Sequence, residues 1–453
     1  MNAVPWWVPG FAACALVAWA LVRLRVVVAV ACGYKSKVLC TAILVCGRDM
    51  DVQTADEVAA DNYLVLRPFR ASVDRDRRTV TTTCLGFSPR TAVCRAGLGA
   101  TLLPAGQSVP VESPVSPRAV ATSEQPAARA ARVAGGSDPI RRIVERAFEE
   151  PNPRRLRRTH AVVVVQDGCV IAERYARGVD ADTPLPGWSV TKSVLSALVG
   201  LLVAEGRLSL TDRELMPGWR MPDPRAGIQL EDLLRMRSGL RFDETYTNPW
   251  SDVLHMLFDC GDTAGYAASR PLSAAPGSVW SYASGTSNIL SAIVRRVVGS
   301  DYHRWPRRAL FDRVGMPSAV LEADAAGTFV CSSFMVATAR DWARFGMLWL
   351  DEGRSDGQEI LPASWIRFST TPTPQSPDGR YGAHWWLKLN PEVGGSDPAA
   401  ASIAPDTYFA VGHEGQTLTI MPSKRLVVVR LGASVHIDAW NHAAFVAAIQ
   451  EAL

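Results

Sequence analysis

The chain opens on an uncharged apolar run, "AVPWWVPGFAACALVAWALV", from Ala3 to Val22. About 20 such residues are what a helix needs to cross the hydrocarbon of a bilayer. Trp6 and Trp7 stand at one end, and Arg23 and Arg25 close the other. The basic residues follow the apolar run instead of preceding it, so a retained signal anchor over residues 1–34 is expected, not a cleaved signal peptide. The positive charges Arg23, Arg25, Lys35 and Lys37 after the run place the remainder of the chain in the cytoplasm by the positive-inside rule. The chemistry argued below favours the periplasmic, extracytoplasmic side, and the two expectations conflict.

Past the anchor the pattern changes period. "VLRPFRASVDRDRRTVTTTCLG" reads as strand, charged turn, strand, and "RTAVCRAGLGATLL" continues it, giving a small β-rich unit over 35–103. Residues 104–136 are rich in Pro, Ala and Ser and lack aromatics, the composition of a linker. The rest, 137–453, begins with an amphipathic helix, "DPIRRIVERAFEE". Two strands follow around an Asp167-Gly168 turn, "HAVVVVQDGCVIAERY". From Ser189 to Thr370 the pattern is mainly helical. "TYFAVGHEGQTLTIMPSKRLVVVRLGA" then reads as three strands, and a last helix closes the chain. Strands at both ends with helices between predict an α+β fold, with one antiparallel sheet built from residues 160–173 and 407–432. Helices would flank it, and a mainly helical subdomain would be inserted.

Composition adds little to this outline. The length of 453 residues allows several domains, and 48% hydrophobic with 20% charged residues is globular. The net charge of +4 is small and argues neither for nor against nucleic acid; no nucleic-acid partner is expected. The nine cysteines include no C-x-x-C and no Cys/His cluster of zinc spacing, so no metal and no cofactor is expected. Cys84 and Cys94 flank "LGFSPRTAV" and could face each other across a hairpin as a disulfide or as two small buried side chains.

The informative chemistry lies in "PLPGWSVTKSVLSALVGLLVAEG". Ser189 stands where an apolar helix begins, and a serine there is ordinarily an N-cap. Lys192 does not fit that explanation. A cation in the first turn opposes the helix dipole, and the helix is apolar around most of its surface and therefore buried. Burial lowers the pKa of a lysine, and a neutral amine one turn from a hydroxyl can take its proton. Arginine cannot, because it stays protonated. The chain has five lysines, and only Lys192 has a serine three residues before it.

Tyr282 in "VWSYASGTSNILSAIVRRVVG" and the glycine-bearing turn of "AVGHEGQTLTIMP" complete a set of three motifs. In order and context they resemble those of the penicillin-recognising serine hydrolases, the superfamily of class C β-lactamases, D-alanyl-D-alanine carboxypeptidases, esterases and 6-aminohexanoate-dimer hydrolases. "LEDLLRMRSGL" and "SSFMVATARDWARFGMLWLDEG" extend the similarity, which is greatest to the 6-aminohexanoate-dimer hydrolase branch. The resemblance implies Ser189 as nucleophile, with Lys192 and Tyr282 sharing the acid-base work. It implies an oxyanion hole from the backbone N–H groups of Ser189 and Gln416. Ser284, His413, Gly415 and Trp188 would meet the substrate, Gly415 because a side chain there would block the backbone. Trp188 and Trp280 adjoin the first two motifs, so one of them could line an apolar acyl pocket.

Two departures bear on the substrate. Tyr282-Ala283-Ser284 replaces Y-x-N, and His413-Glu414-Gly415 replaces K-T-G, whose lysine helps hold a carboxylate. A small-molecule or peptide-like amide or ester is therefore expected before a β-lactam or D-Ala-D-Ala peptide. The rival readings are a Ser-His-Asp hydrolase with His413 as base, which lacks its G-x-S-x-G elbow, and a non-catalytic peptidoglycan-binding or sensor protein. His413-Glu414 is also half of a zinc H-E-x-x-H, with no second histidine in place.

Overall fold

The computed structural model describes residues 7–53, 65–107, 137–436 and 438–453; the linker expected over 104–136 falls almost wholly outside the described residues. A five-stranded antiparallel sheet organises the chain from 137 onward. Its strands are β5 (Thr159–Gln166), β6 (Cys169–Tyr175), β7 (Tyr408–Gly412), β8 (Gln416–Met421) and β9 (Leu426–Gly432), in the order β7-β8-β9-β5-β6. Segments far apart in sequence thus share one sheet, with Val428 paired to Val164 at its centre. The run Val162–Val165 is continuously apolar because both faces are covered. Val162 and Val164 pack with Ile143, Val144, Phe445 and Ile449 of the terminal helices α2 (Asp138–Arg146) and α7 (His442–Glu451). Val163 and Val165 face the main core. Each buried valine contributes roughly 1.5–3 kcal/mol.

Within that core lies α3 (Thr191–Ala204), buried from Thr191 to Leu202. Gly200 lets it close on Trp365, since a Cβ would stand 2.5 Å from the indole nitrogen. Other helices between the sheet segments include α4 (Asp252–Phe258), α5 (Ser284–Val298) and α6 (Ala339–Leu350), separated by long irregular stretches. These stretches are held by polar bonds more than by periodic apolar contacts. Buried Asp232, for example, accepts from Gln229 N and from Arg237 Nε.

The N-terminal part forms one long helix, α1 (Trp7–Cys40), running on through a π-type turn to Val45. No break occurs at residue 34. From Phe11 to Arg25 the described side chains are exposed, and the helix is long and apolar enough to cross a membrane. From Ala29 onward it packs against a second antiparallel sheet, β1 (Phe69–Asp74), β2 (Thr79–Cys84), β3 (Phe87–Arg95) and β4 (Gly99–Leu102).

Two lysines read as membrane-flanking charges are instead internal. Lys35 Nζ donates to Phe69 O at 2.6 Å, and Lys37 forms a buried ion pair with Glu322 at 2.5 Å beneath the Phe334 ring. Only Arg23 and Arg25 remain at the exposed helix end. Cys84 and Cys94 do not face each other. Cys84 pairs with Phe87 at the hairpin tip, while Thr79 pairs with Val93 at the other end. The two cysteines are thus separated by ~20 Å of strand, and both thiols are free.

Candidate active site

A single 3-10 turn, Trp188–Val190, delivers Ser189 at the mouth of α3. No side chain caps this turn or the helix after it, so Ser189 is not spent as an N-cap. The approach is tight. Gly187 lies against the Trp342 ring, which a Cβ would meet at 2.4 Å. Trp188 is held at φ +47°, a left-handed conformation that is costly for a bulky residue and typical of functional turns. Its buried ring meets Phe334 and, edge-on, His413 at 5.1 Å.

Lys192 is buried directly below. Its Nζ has three neighbours: Ser189 Oγ at 2.8 Å, Ser284 Oγ at 3.2 Å and Ser332 O at 2.8 Å. Ser332 is itself fixed, its N–H donating to Asn288 Oδ1 at 3.1 Å. Burial pushes the Lys192 pKa down to about 8, against a smaller upward pull from the Glu244 carboxylate. An amine titrating there is neutral often enough near physiological pH to accept a proton. The Tyr282 ring lies 4.9 Å from Lys192 Nζ and packs against Tyr381 and Trp386.

Ser284 does not face a substrate position. It is fully buried as the first residue of α5 and bridges Lys192 to Glu244, donating to Glu244 Oε1 at 2.5 Å while its N–H donates to Oε2 at 2.8 Å. Glu244 was not singled out from sequence. It sits in an irregular loop, "RFDETYTNPW", where only its place in space marks it. Burial raises its pKa, and Lys192 and the Ser284 bonds pull it back. Tyr246 from the same loop stacks on the His413 ring at 4.5 Å. Burial drives the His413 pKa down to about 4, so at neutral pH it carries no cation where K-T-G has its lysine.

The third motif is arranged differently from expectation. Gly415 sits at φ +82°, and a Cβ there would meet Arg430 Nη1 at 2.7 Å, behind the turn and away from Ser189. The Arg430 guanidinium needs that space to donate to Gly415 O at 2.9 Å and to Ser434 Oγ at 2.8 Å. The glycine that faces the serine is Gly412, the last residue of edge strand β7, whose Cβ would stand 2.4 Å from Gly187 O and 3.1 Å from Ser189 N. Gln416 lies across from Gly412 on β8, one strand farther in. Its buried side chain is engaged with His413 O and both backbone groups of Gly432. Gly412 could not be picked from Gly415 by sequence, because the choice depends on which strand of the hairpin lies at the sheet edge.

A buried lysine thus touches a partly exposed serine beside a sheet edge that approaches the serine's backbone. The Beta-lactamase family profile matches residues 144–449, and the chain belongs to that family. It is 26% identical over 301 residues to the 6-aminohexanoate-dimer hydrolase of Paenarthrobacter ureafaciens, covering 61% of this chain and 72% of that protein. In structure it is similar to a penicillin-binding protein homologue from Caulobacter crescentus (TM-score 0.51, 16% identity, 71% of this chain and 99% of that one). It is similar also to EstCE1, a hydrolase with promiscuous acyltransferase activity (TM-score 0.54, 14% identity, 69% and 97%). Homology within the family supports a hydrolase.

Proposed function

We propose that this protein is a serine hydrolase that cleaves a small or peptide-like amide or ester through a Ser189 acyl-enzyme. The observation that carries the reading is the buried Lys192 amine, 2.8 Å from Ser189 Oγ, with its pKa lowered to about 8. Neutral Lys192 takes the Ser189 proton as Oγ attacks the carbonyl carbon. Tyr282, beside the same amine, passes that proton to the departing nitrogen or oxygen as the C–N or C–O bond breaks. Water then attacks the ester, giving its proton back by the same route and freeing the carboxylic acid. The oxyanion is held by the Ser189 N–H and by a second backbone N–H at the end of β7. We assign the latter to His413, because Gly412 brings that strand end against Ser189.

A neutral His413 and the absence of a Y-x-N asparagine speak against a substrate anchored by its carboxylate, such as a β-lactam or D-Ala-D-Ala peptide. We further propose that α1 anchors the protein in a membrane by the segment up to Arg25, with the rest of α1 and the β1–β4 sheet folded onto the hydrolase and the catalytic body extracytoplasmic. Covalent labelling by a fluorophosphonate tests the enzymatic reading. The adduct is expected on Ser189, and absence of any adduct from the folded protein would favour a non-catalytic binding or sensor role.

A further inference from the structure

The β2–β3 hairpin ends in a two-residue turn, Leu85-Gly86, closed by the Cys84–Phe87 pair. Both turn residues have positive φ, +50° and +84°. Such turns ordinarily take Asn-Gly or Asp-Gly, whose backbones tolerate that conformation. Here a leucine holds the first position and is 79% exposed, with Phe87 beside it 75% exposed. Leu85 is thus unfavourable twice over, in its backbone conformation and in its solvent contact. A second surface apolar group, Trp250, is 47% exposed. Its Nε1 donates to Arg23 O at 3.4 Å, and the Arg23 guanidinium lies 5.3 Å from the rings of both Trp19 and Trp250.

These groups lie near the same stretch of α1, Trp250 level with Arg23 and the hairpin tip up to ~10 Å nearer the folded body. Ser36 Oγ donates to Arg90 O at 2.8 Å and the Cys94 thiol to Leu44 O at 3.5 Å, so β3 runs beside α1 in the same direction. From Ser36 to Leu44 the helix rises ~12 Å, and from Arg90 to Cys94 the strand advances ~13 Å. Continued backwards by ~10 Å, Phe87 comes level with about residue 30. That is where α1 passes from buried to exposed, just beyond Arg23 and Arg25. The tip and Trp250 therefore flank the place where the apolar helix leaves the folded body. The polar margin of a bilayer adds ~5–7 Å on each side of its hydrocarbon, and tryptophan and arginine are the side chains that collect there.

We propose that Leu85, Phe87 and Trp250 enter the headgroup layer of the bilayer crossed by α1, so that the hydrolase lies on the membrane surface at a second attachment. The inference rests on the anchor reading of α1 and is independent of which leaflet is involved. Its test uses the full chain in lipid nanodiscs, with the photo-crosslinker p-benzoylphenylalanine placed in turn at positions 85, 87, 17 and 279. Position 17 reports the anchor and position 279 a surface apolar residue of the hydrolase. Lipid adducts, read by mass spectrometry, are expected at 85, 87 and 17 and not at 279. Adducts at 17 with none at 85 and 87, or adducts from 85 and 87 to a second copy of the chain, overturn the surface attachment and leave the anchor standing. Absence of lipid adducts at 17 overturns both.

Discussion

Glu244→Gln isolates the electrostatics of the proposed base. The carboxylate reaches Lys192 through one serine, with Ser284 Oγ 2.5 Å from Glu244 Oε1 and 3.2 Å from Lys192 Nζ. The charge centres are thus no more than ~6 Å apart, and at an effective dielectric of ~20 the attraction is about 3 kcal/mol. Partial solvent access at the Glu244 loop reduces this, leaving an influence of roughly one to two pH units. The sign follows from the charges. A carboxylate favours the ammonium form, so it raises the Lys192 pKa, and removing it moves that pKa below about 8. Glutamine keeps one oxygen able to accept from Ser284 and loses the second acceptor, so folding of the variant is checked by thermal unfolding beside the wild type. Acylation requires the neutral amine and rises with pH as Lys192 deprotonates. In Glu244→Gln the rise should occur at lower pH, with the variant losing least activity on the acidic side. The assay is the pH dependence of kcat/KM for an activated ester, whose acidic limb reports the free enzyme. A limb that stays in place or moves upward refutes the assignment of Lys192 as the titrating base coupled to Glu244.

Lys37→Met should destabilise the fold by about 3–5 kcal/mol, because it strands the buried Glu322 carboxylate with, among the described residues, Thr41 and the Ala100 N–H as the remaining donors to its side chain. Lys37→Met/Glu322→Gln should recover most of that loss in denaturant unfolding, and a single variant costing under ~1 kcal/mol would mean the pair behaves as a surface one. Gly412→Ala should lower acylation by roughly 10²–10³, the scale of one lost oxyanion donor, and also cost stability, because its Cβ meets the backbone at Gly187 O and Ser189 N. Gly415→Ala should cost stability with a smaller acylation defect, because its Cβ strains the turn against Arg430 and not the serine; equal acylation defects in the two folded variants would contradict the assignment.

The parts legible from sequence were those with short-range periodicity or spacing. The valine run at 162–165, the buried helix after Ser189 and the three-residue step to Lys192 each carry their signal within one or two turns of chain. Glu244, Asn288 and Ser332 carry none. They converge on Lys192 from a loop, a helix and a second loop, and only the tertiary fold sets those distances. Charge alone misled at Lys35 and Lys37. A lysine after an apolar run looks like a membrane flank, but each has a buried partner, Phe69 O or Glu322, far along the chain. At Cys84 and Cys94 the spacing left a disulfide and two separate small side chains both open, and the register decides for the second. The hairpin turn lies at Leu85-Gly86, directly after Cys84, so pairing register sends the two thiols to opposite ends.

The central claim is that Lys192 acts by giving up and taking a proton, and one comparison tests it most directly. Single-turnover acylation by an activated ester is measured on wild type, Ser189→Ala and Lys192→Arg, with the acyl-enzyme followed by intact mass. Arginine keeps the positive charge but cannot release a proton near neutral pH. Lys192→Arg should therefore fall with Ser189→Ala by several powers of ten, since residues acting as one unit fail together. A folded Lys192→Arg protein that still forms the Ser189 acyl-enzyme at a rate near wild type would contradict the account.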